Sequence, residues 1–273
     1  YMPMVLGGII LTFRQKYLWG FLLLSLAMAL QIGANHFQMT YYLLLLVIVL
    51  GISYLIDAYR KNILPKFFKA LGVMVVAVIL AIGANATNLL ATQEYTAHST
   101  RGDTGLTISP DGSDKPAAGL TFDYITEYSY GILESFNLFI PRFMGGSNAE
   151  DIGKDTEIYD SLIKLGASPV QAADFAENAP TYWGDQPYVG APAYIGATVL
   201  FLFVFALYLV RGRLKWWIVG GSVLALILSW GKNFGFFTEF FIDYVPLYNK
   251  FRAVSSIQVI IELCVPVLAV FGL

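Results

Sequence analysis

Seven apolar runs, at 1–13, 17–32, 39–56, 67–86, 192–210, 214–230 and 254–273, are separated by short polar connections and by one long polar stretch, 87–191. A helix needs about 20 apolar residues to cross a hydrocarbon core roughly 30 Å thick. Each run therefore predicts a transmembrane helix; 17–32 and 214–230 are slightly short and must borrow flanking residues or tilt. The expected fold is an all-α polytopic membrane protein of about seven transmembrane helices, the first and last truncated. A long extracytoplasmic loop carries short amphipathic helices. Helices 1–4 occupy 1–86, the loop region 87–191, and helices 5–7 occupy 192–273 with an outer loop at 231–253. Tyr1 and Leu273 both lie inside apolar runs, which predicts an internal piece of a longer protein. No basic segment precedes the first run, so it does not read as a signal peptide.

The connections alternate in charge. Arg14 and Lys16 follow the first run, Arg60, Lys61, Lys66 and Lys69 surround the third connection, and Arg211, Arg213 and Lys215 the fifth, whereas 33–38 holds no Lys or Arg. Short basic loops stay in the cytoplasm. That places 33–38, 87–191 and 231–253 outside. Tyr17, Trp19, Tyr41, Tyr42, Trp216, Trp217 and Trp230 stand at run edges, as interfacial anchors do.

Composition agrees with the pattern. Of the 273 residues 57% are hydrophobic and only 13% charged, with a mean hydropathy of +0.62; a soluble domain carries about 25% charged residues. A net charge of −2 gives no bias toward nucleic acid. The single cysteine, Cys264, cannot form an internal disulfide and reads as a small buried hydrophobe. Within the long segment, 102–119 is a turn-rich excursion, 122–140 reads as a helix in the interface, 157–165 and 169–177 as two short amphipathic helices, and 180–192 as an ordered aromatic loop.

Candidate chemistry comes by elimination. Two histidines and one cysteine, with no CxxC or HExxH, argue against a structural zinc site. Carboxylates are numerous enough for a divalent metal ion, but no spacing selects a set. Nucleotide-binding glycine motifs and a GxSxG elbow are missing. What remains is polar residues at the outer ends of spans: Asn35, His36 and Gln38 in one turn; Gln93, Glu94 and Arg101 after the fourth run; Trp183, Asp185 and Gln186 before the fifth; Lys250 and Arg252 before the last. Brought together at a lipid–water boundary, they could take a phosphate on Arg or Lys and a sugar on aromatics and amides. Each also has a plainer reading: His36 as a cap, Arg101 or Arg252 paired with Glu94 or Asp243, Asp185 stabilising a turn. Glu262 stands inside an apolar run with Gln258 four residues earlier on the same face, which suggests either a hydrogen-bonded neutral carboxyl or a functional one.

The runs ANHFQMTYYLLLLVIVLGISYLIDA (34–58), ANATNLLATQEYTAHSTRG (84–102), YWGDQPYVGAPAYIG (182–196) and DYVPLYNKFRAVSSIQVIIEL (243–263) resemble the bacterial YfhO family of membrane proteins. That family is similar to the GT-C glycosyltransferases. The resemblance implies transfer of a sugar from a polyprenyl-phosphate carrier to a cell-surface glycan or glycolipid acceptor outside the cytoplasmic membrane. It places the catalytic acid in a first outer loop, which would precede Tyr1, so no residue here matches that base. A lipid-linked glycan transporter or flippase, and a non-catalytic scaffold, are the competing readings.

Overall fold

The computed structural model describes residues 1–99 and 120–273. The expected turn-rich excursion at 102–119 and Arg101 lie outside the described residues.

The described chain is all-helical, with an isolated bridge between Glu150 and Ala179 in place of any sheet. Four helices come first: α1 (Met2–Phe13), α2 (Tyr17–Gly33), α3 (Phe37–Arg60) and α4 (Leu64–Ala84). Their turns are built alike. Gln15, Asn35 and Asn62 take positive φ (64°, 57° and 55°) just past each helix end. At the first and third turns the next amide closes the motif, Lys16 N on Leu11 O and Ile63 N on Ala58 O. These are Schellman closures that satisfy the final helical carbonyls, and asparagine tolerates the left-handed conformation they require.

Small residues set the packing of the first group. α4 touches the bundle through Ala70, Met74, Ala77 and Ala81, and α2 through Gly20, Leu24, Ala27 and Gln31, both at heptad-like spacing. A Cβ on Gly20 would run into the Thr12 side chain and backbone, and one on Gly8 into the Leu24 backbone. Such stripes let helices approach closely where burial alone gives little driving force, as between helices in lipid. Leu22, Leu26 and Leu30 on α2 and Val75, Val76, Ile79 and Leu80 on α4 face outward instead. Large apolar side chains on the outside and small ones inside is the arrangement expected of a lipid-facing bundle.

The second group is α9 (Ala197–Leu209), α10 (Arg213–Ser229), α11 (Gly235–Tyr244) and α12 (Val259–Phe271). α10 lies between α3 and α12, and α12 packs on α9. The core joining them holds Tyr42, Leu46, Leu50, Ile218, Leu228, Ile257 and Leu268, with Cys264 buried among them as expected. Between α10 and α11 the chain turns by 110°. Gly231, with φ of 48°, makes the turn; a Cβ there would collide with Ser129 Oγ and Val254.

Among the described residues three helical stretches are long and apolar enough to cross a membrane, Phe37–Arg60, Leu64–Ala84 and Val254–Phe271, and the bent α10–α11 pair makes a fourth if taken as one span. The other expected spans are shorter apolar helices: α1, α2 and α9 have 12, 17 and 13 residues. The basic connections gather at one end of the bundle. There Arg213 pairs with Asp57, which also holds Lys61 Nζ at 2.9 Å, and Arg213 sits 4.2 Å over the Tyr54 ring. Gln15, Asp57, Lys66 and Arg213 line one small cleft.

At the other end lies α5 (Ala86–Ala97), a helix where the sequence predicted the start of a loop. The segment from Leu120 onward is fastened to the bundle by backbone bonds: Leu120 N to Asn249 O at 2.9 Å, Tyr130 N to Ser229 O at 2.8 Å, Ala253 N to Ile125 O at 3.1 Å and Ser255 N to Tyr128 O at 3.1 Å. The helix expected over 122–140 is not continuous. It is α6 (Phe122–Thr126), a bend, and a 3-10 turn at Leu133–Leu138. The break follows from Glu134, which is buried and folds back to accept from Gly131 N at 2.9 Å. The two amphipathic helices form nearly as expected, α7 (Glu157–Lys164) and α8 (Pro169–Glu177). Ser168 and Gln171 cap α8 reciprocally, a capping box, and Pro169 takes the first turn where its missing N–H costs nothing. The 180–192 stretch is an ordered loop, with Thr181 and Tyr182 amides donating to Ser147 O and Trp183 N to Met144 O at 3.1 Å.

Candidate functional site

Where the α2–α3 turn, α5 and residues 247–251 converge, a surface groove of about 610 Å³ opens at the end of the bundle away from the basic turns. Phe37, Leu89, Leu247 and Phe251 give it apolar walls, and Asn35, His36, Gln38, Gln93 and Lys250 give it polar ones. The face that α5 presents is Leu89, Thr92, Gln93 and Thr96, at the i, i+3, i+4, i+7 spacing of one helical side.

The wall carrying Lys250 is held unusually hard. Leu247 and Ala253 bracket it at φ of 67° and 58°, left-handed values that β-carbon residues seldom adopt. Such backbone persists only when its surroundings over-determine it, at a cost of order 1–3 kcal/mol per residue. The constraints are visible. Tyr41 OH donates to Pro246 O at 2.8 Å, and Gln38 Nε2 donates to Arg252 O at 2.5 Å and to Tyr42 OH at 2.7 Å while lying 3.2 Å from Ser256 Oγ. The Tyr41 ring lies 5.1 Å from that of Phe251. On the opposite wall Asn85 Nδ2 donates to Ala29 O and Ala81 O, and Asn88 Nδ2 to Asn35 Oδ1 at 3.3 Å.

Of the eleven residues expected at a site, five line this groove: Asn35, His36, Gln38, Gln93 and Lys250. Glu94 is exposed on α5, one position round from Gln93, and does not line it. Arg252 turns away. Its guanidinium donates to Tyr124 OH at 2.7 Å, lies 3.2 Å from Glu127 Oε2 and stacks over the rings of Tyr124 and Tyr128 at 4.6 and 5.4 Å. The expected alternative pairing with Asp243 is replaced by Glu127, and the Tyr124 hydrogen bond holds the guanidinium firmly protonated. Arg252 is thus a clamp on the outer segment rather than a groove cation.

Trp183, Asp185 and Gln186 belong to a separate cluster. Trp183 is exposed beside Gly145. Asp185 meets Asn233 Nδ2 at 3.3 Å. Gln186 Nε2 donates to Glu134 Oε1 at 3.1 Å, which also accepts from Tyr182 OH at 2.5 Å. Burial and the Glu134 carboxylate push the Tyr182 phenol well above its ordinary range. Asp185 and Gln186 thus brace the loop that packs on Glu134. Groove residues missed by the sequence reading are Phe37, Leu89, Thr92, Thr96, Leu247 and Phe251. The helical spacing within α5 was the available signal.

Glu262 is in the first turn of α12 and exposed, not enclosed in the bundle. Gln258 is buried, and both line a second, smaller cavity. Among the described residues no three His, Cys, Asp or Glu side chains gather as a metal site would require.

No protein-family model matches this chain, and neither a curated protein nor a solved structure shows significant similarity to it.

Proposed function

We propose that the groove holds the phosphate and first isoprene units of a polyprenyl-phosphate-linked sugar, and that the chain serves a membrane glycosyltransferase acting at the outer face of a bacterial cytoplasmic membrane. The observation that carries this is the pairing of apolar walls with Lys250 and His36 at the end of an apolar bundle. Phe37, Leu89, Leu247 and Phe251 suit an isoprenoid chain. Lys250 supplies a point charge for phosphate, and Asn35, Gln38 and Gln93 supply amides for hydroxyls. Positive charge in the short turns at the opposite end supports a cytoplasmic position for that end. The resemblance of four runs to the YfhO family supports the sugar-transfer class. No carboxylate lines the groove among the described residues, and its apolar walls fit carrier binding. A transport path finds little support: along α3 the buried side chains between the two ends are Tyr42, Leu43, Leu45, Leu46, Leu50 and Tyr54.

The test is photolabelling of the reconstituted protein with a diazirine-bearing polyprenyl-phosphate sugar, alongside sugar transfer. Lys250→Ala and Phe251→Ala should each reduce labelling by about tenfold, the equivalent of ~1.4 kcal/mol. Wild-type labelling and transfer in both variants would remove the groove from carrier binding.

A further inference from the structure

A groove of about 530 Å³ lies between α3 and the start of α10, at the basic end of the bundle and so away from the carrier groove. Its α3 wall is one stripe, Val49, Ile52, Ile56 and Arg60, at the i, i+3, i+7, i+11 spacing of a single helical face. Arg213 and Trp216 form the α10 wall. Ile52, Ile56 and Trp216 are exposed, so the groove is open along the outside of the bundle. Ser53 donates its hydroxyl to Arg213 O at 3.3 Å and ties the two walls together. A helix rises about 1.5 Å per residue, which sets Val49 and Arg60 about 16 Å apart along the axis. That is the depth of one leaflet, half of a hydrocarbon core roughly 30 Å thick. The stripe is apolar through this depth and turns cationic at Arg60, where α3 ends.

The charges select the occupant. Arg60 is exposed, and its side chain makes no hydrogen bond, ion pair or ring contact among the described residues. Arg213 meets Asp57 through one nitrogen, Nη1, and a guanidinium carries five N–H donors. Asp57 is the single carboxylate in the lining among the described residues, and Lys61 shares it. Lys215 lies 5.2 Å over the Trp216 ring. Four cations thus surround one carboxylate. A zwitterionic headgroup would bring its own ammonium into that surplus of positive charge, whereas a headgroup of net negative charge relieves it. Arginine forks match phosphate oxygens, tryptophan settles at the headgroup level, and basic pockets between membrane helices recognise acidic lipids.

We propose that this groove binds one anionic phospholipid from the leaflet at the basic end of the bundle, with its phosphate between Arg60 and Arg213, an acyl chain along Val49, Ile52 and Ile56, and Trp216 against the glycerol. The site stands on its own lining and does not depend on the carrier reading.

The experiment uses the full chain in phosphatidylcholine nanodiscs doped with phosphatidylglycerol that carries a diazirine in its acyl chain, with labelled peptides mapped by mass spectrometry. Labelling concentrated at 49–60 and 212–216 is expected. Unlabelled phosphatidylglycerol should displace it, and inorganic phosphate should not. A phosphatidylcholine probe with the same diazirine chain should label the exposed apolar faces without that concentration. Arg60→Gln should lower the phosphatidylglycerol labelling about fivefold, the effect of one basic side chain near a membrane surface. Arg60 is exposed, so this variant leaves the packing of α3 on α10 intact. Lys16→Gln, at the same end but outside the groove, is the control and should leave labelling unchanged. The same pattern with the phosphatidylcholine probe would mean ordinary solvation of the helices by lipid. Displacement by inorganic phosphate would mean a bare anion site, and an equal loss in Lys16→Gln would mean diffuse surface charge. Each of these would overturn the proposal, as would wild-type labelling in Arg60→Gln.

Discussion

Gln38 and Ser256 meet across the wall between the two cavities: Gln38 lines the groove, Ser256 lines the smaller cavity, and their side chains lie 3.2 Å apart. Gln38 also donates to Arg252 O and Tyr42 OH, so one side chain ties α3 to the turn that separates the cavities. Gln38→Leu keeps the volume and removes all three contacts. It should lower stability by about 1–3 kcal/mol, read as a lower thermal midpoint in detergent. An unchanged midpoint would show that the turn is held without it.

Arg252→Ala separates the clamp from the groove. Its ion pair with Glu127 is partly solvated, with about a third of the guanidinium side chain exposed, and exposed pairs contribute at most about 1 kcal/mol. Stacking on Tyr124 and Tyr128 adds about 0.5–1 kcal/mol. The variant should lose about 1–2 kcal/mol of stability while retaining carrier photolabelling. A selective loss of labelling in a protein of wild-type stability would return Arg252 to the site.

The Arg142–Glu150 fork predicts an acid-dependent contact. Arg142 donates to both Glu150 oxygens at 2.5 and 2.8 Å, and Thr181 Oγ1 donates to one of them. The Arg142 hydrogen bonds, with help from Thr181, hold the Glu150 carboxyl down at about 2 from its ordinary 4.5. A depressed carboxylate stabilises the fold above its unfolded value and loses that contribution as pH falls toward the folded value. Hydrogen exchange at the Ser147 and Thr181 amides should therefore speed up between pH 4.5 and 2, relative to Glu150→Gln. Parallel pH profiles in the two proteins would refute the assignment.

Gly20→Ala probes the helix contact in the first group. The new Cβ meets the Thr12 backbone, which cannot rotate away as a flexible side chain would. Overpacking of this kind costs about 1–3 kcal/mol, measurable as unfolding at a lower SDS fraction. Gly72→Ala, where a Cβ meets nothing within 4 Å, is the matched control and should be neutral or slightly stabilising.

Orientation is tested by single cysteines. Cys264 is 1% exposed and should stay silent toward a membrane-impermeant maleimide in intact cells. Lys154→Cys should react from outside, and Lys61→Cys only after permeabilisation. The opposite pattern would invert the topology and take the carrier reading with it.

The helical bundle was legible because apolar run length and charge alternation are one-dimensional signals. Lys66 and Arg213 line a cleft at one end of the bundle, where Lys61 pairs with Asp57, and Asn35 and His36 lie at the other end. α7 and α8 were legible through their amphipathic spacing. α5 was not, because Leu89, Thr92, Gln93 and Thr96 are too polar together to register as an apolar face. The helix read across 122–140 failed for a different reason. Its interruption depends on Glu134, whose partners Tyr182 and Gln186 lie far along the chain. Arg252 illustrates the same limit: a cation beside an apolar run suggests phosphate until Tyr124, Glu127 and Tyr128 fold against it. The five expected residues that do converge sit where long helices begin or end or on α5: Asn35 and His36 in the turn into α3, Gln38 in its first turn, Gln93 on α5 and Lys250 in the 3-10 turn ahead of the last span.

The 110° turn at Gly231 sets α11 across the bundle's end, with Phe236, Phe240 and Tyr244 facing outward. A helix lying flat acts as a float. On the proposed outer-face reading, bilayers of different thickness can tilt or stretch around the upright helices while α11 would ride at the headgroup layer, and it leads through Tyr248 directly into Lys250. The mouth of the groove would then hold a constant immersion depth, so that a carrier's phosphate arrives at the same height whatever the lipid beneath it.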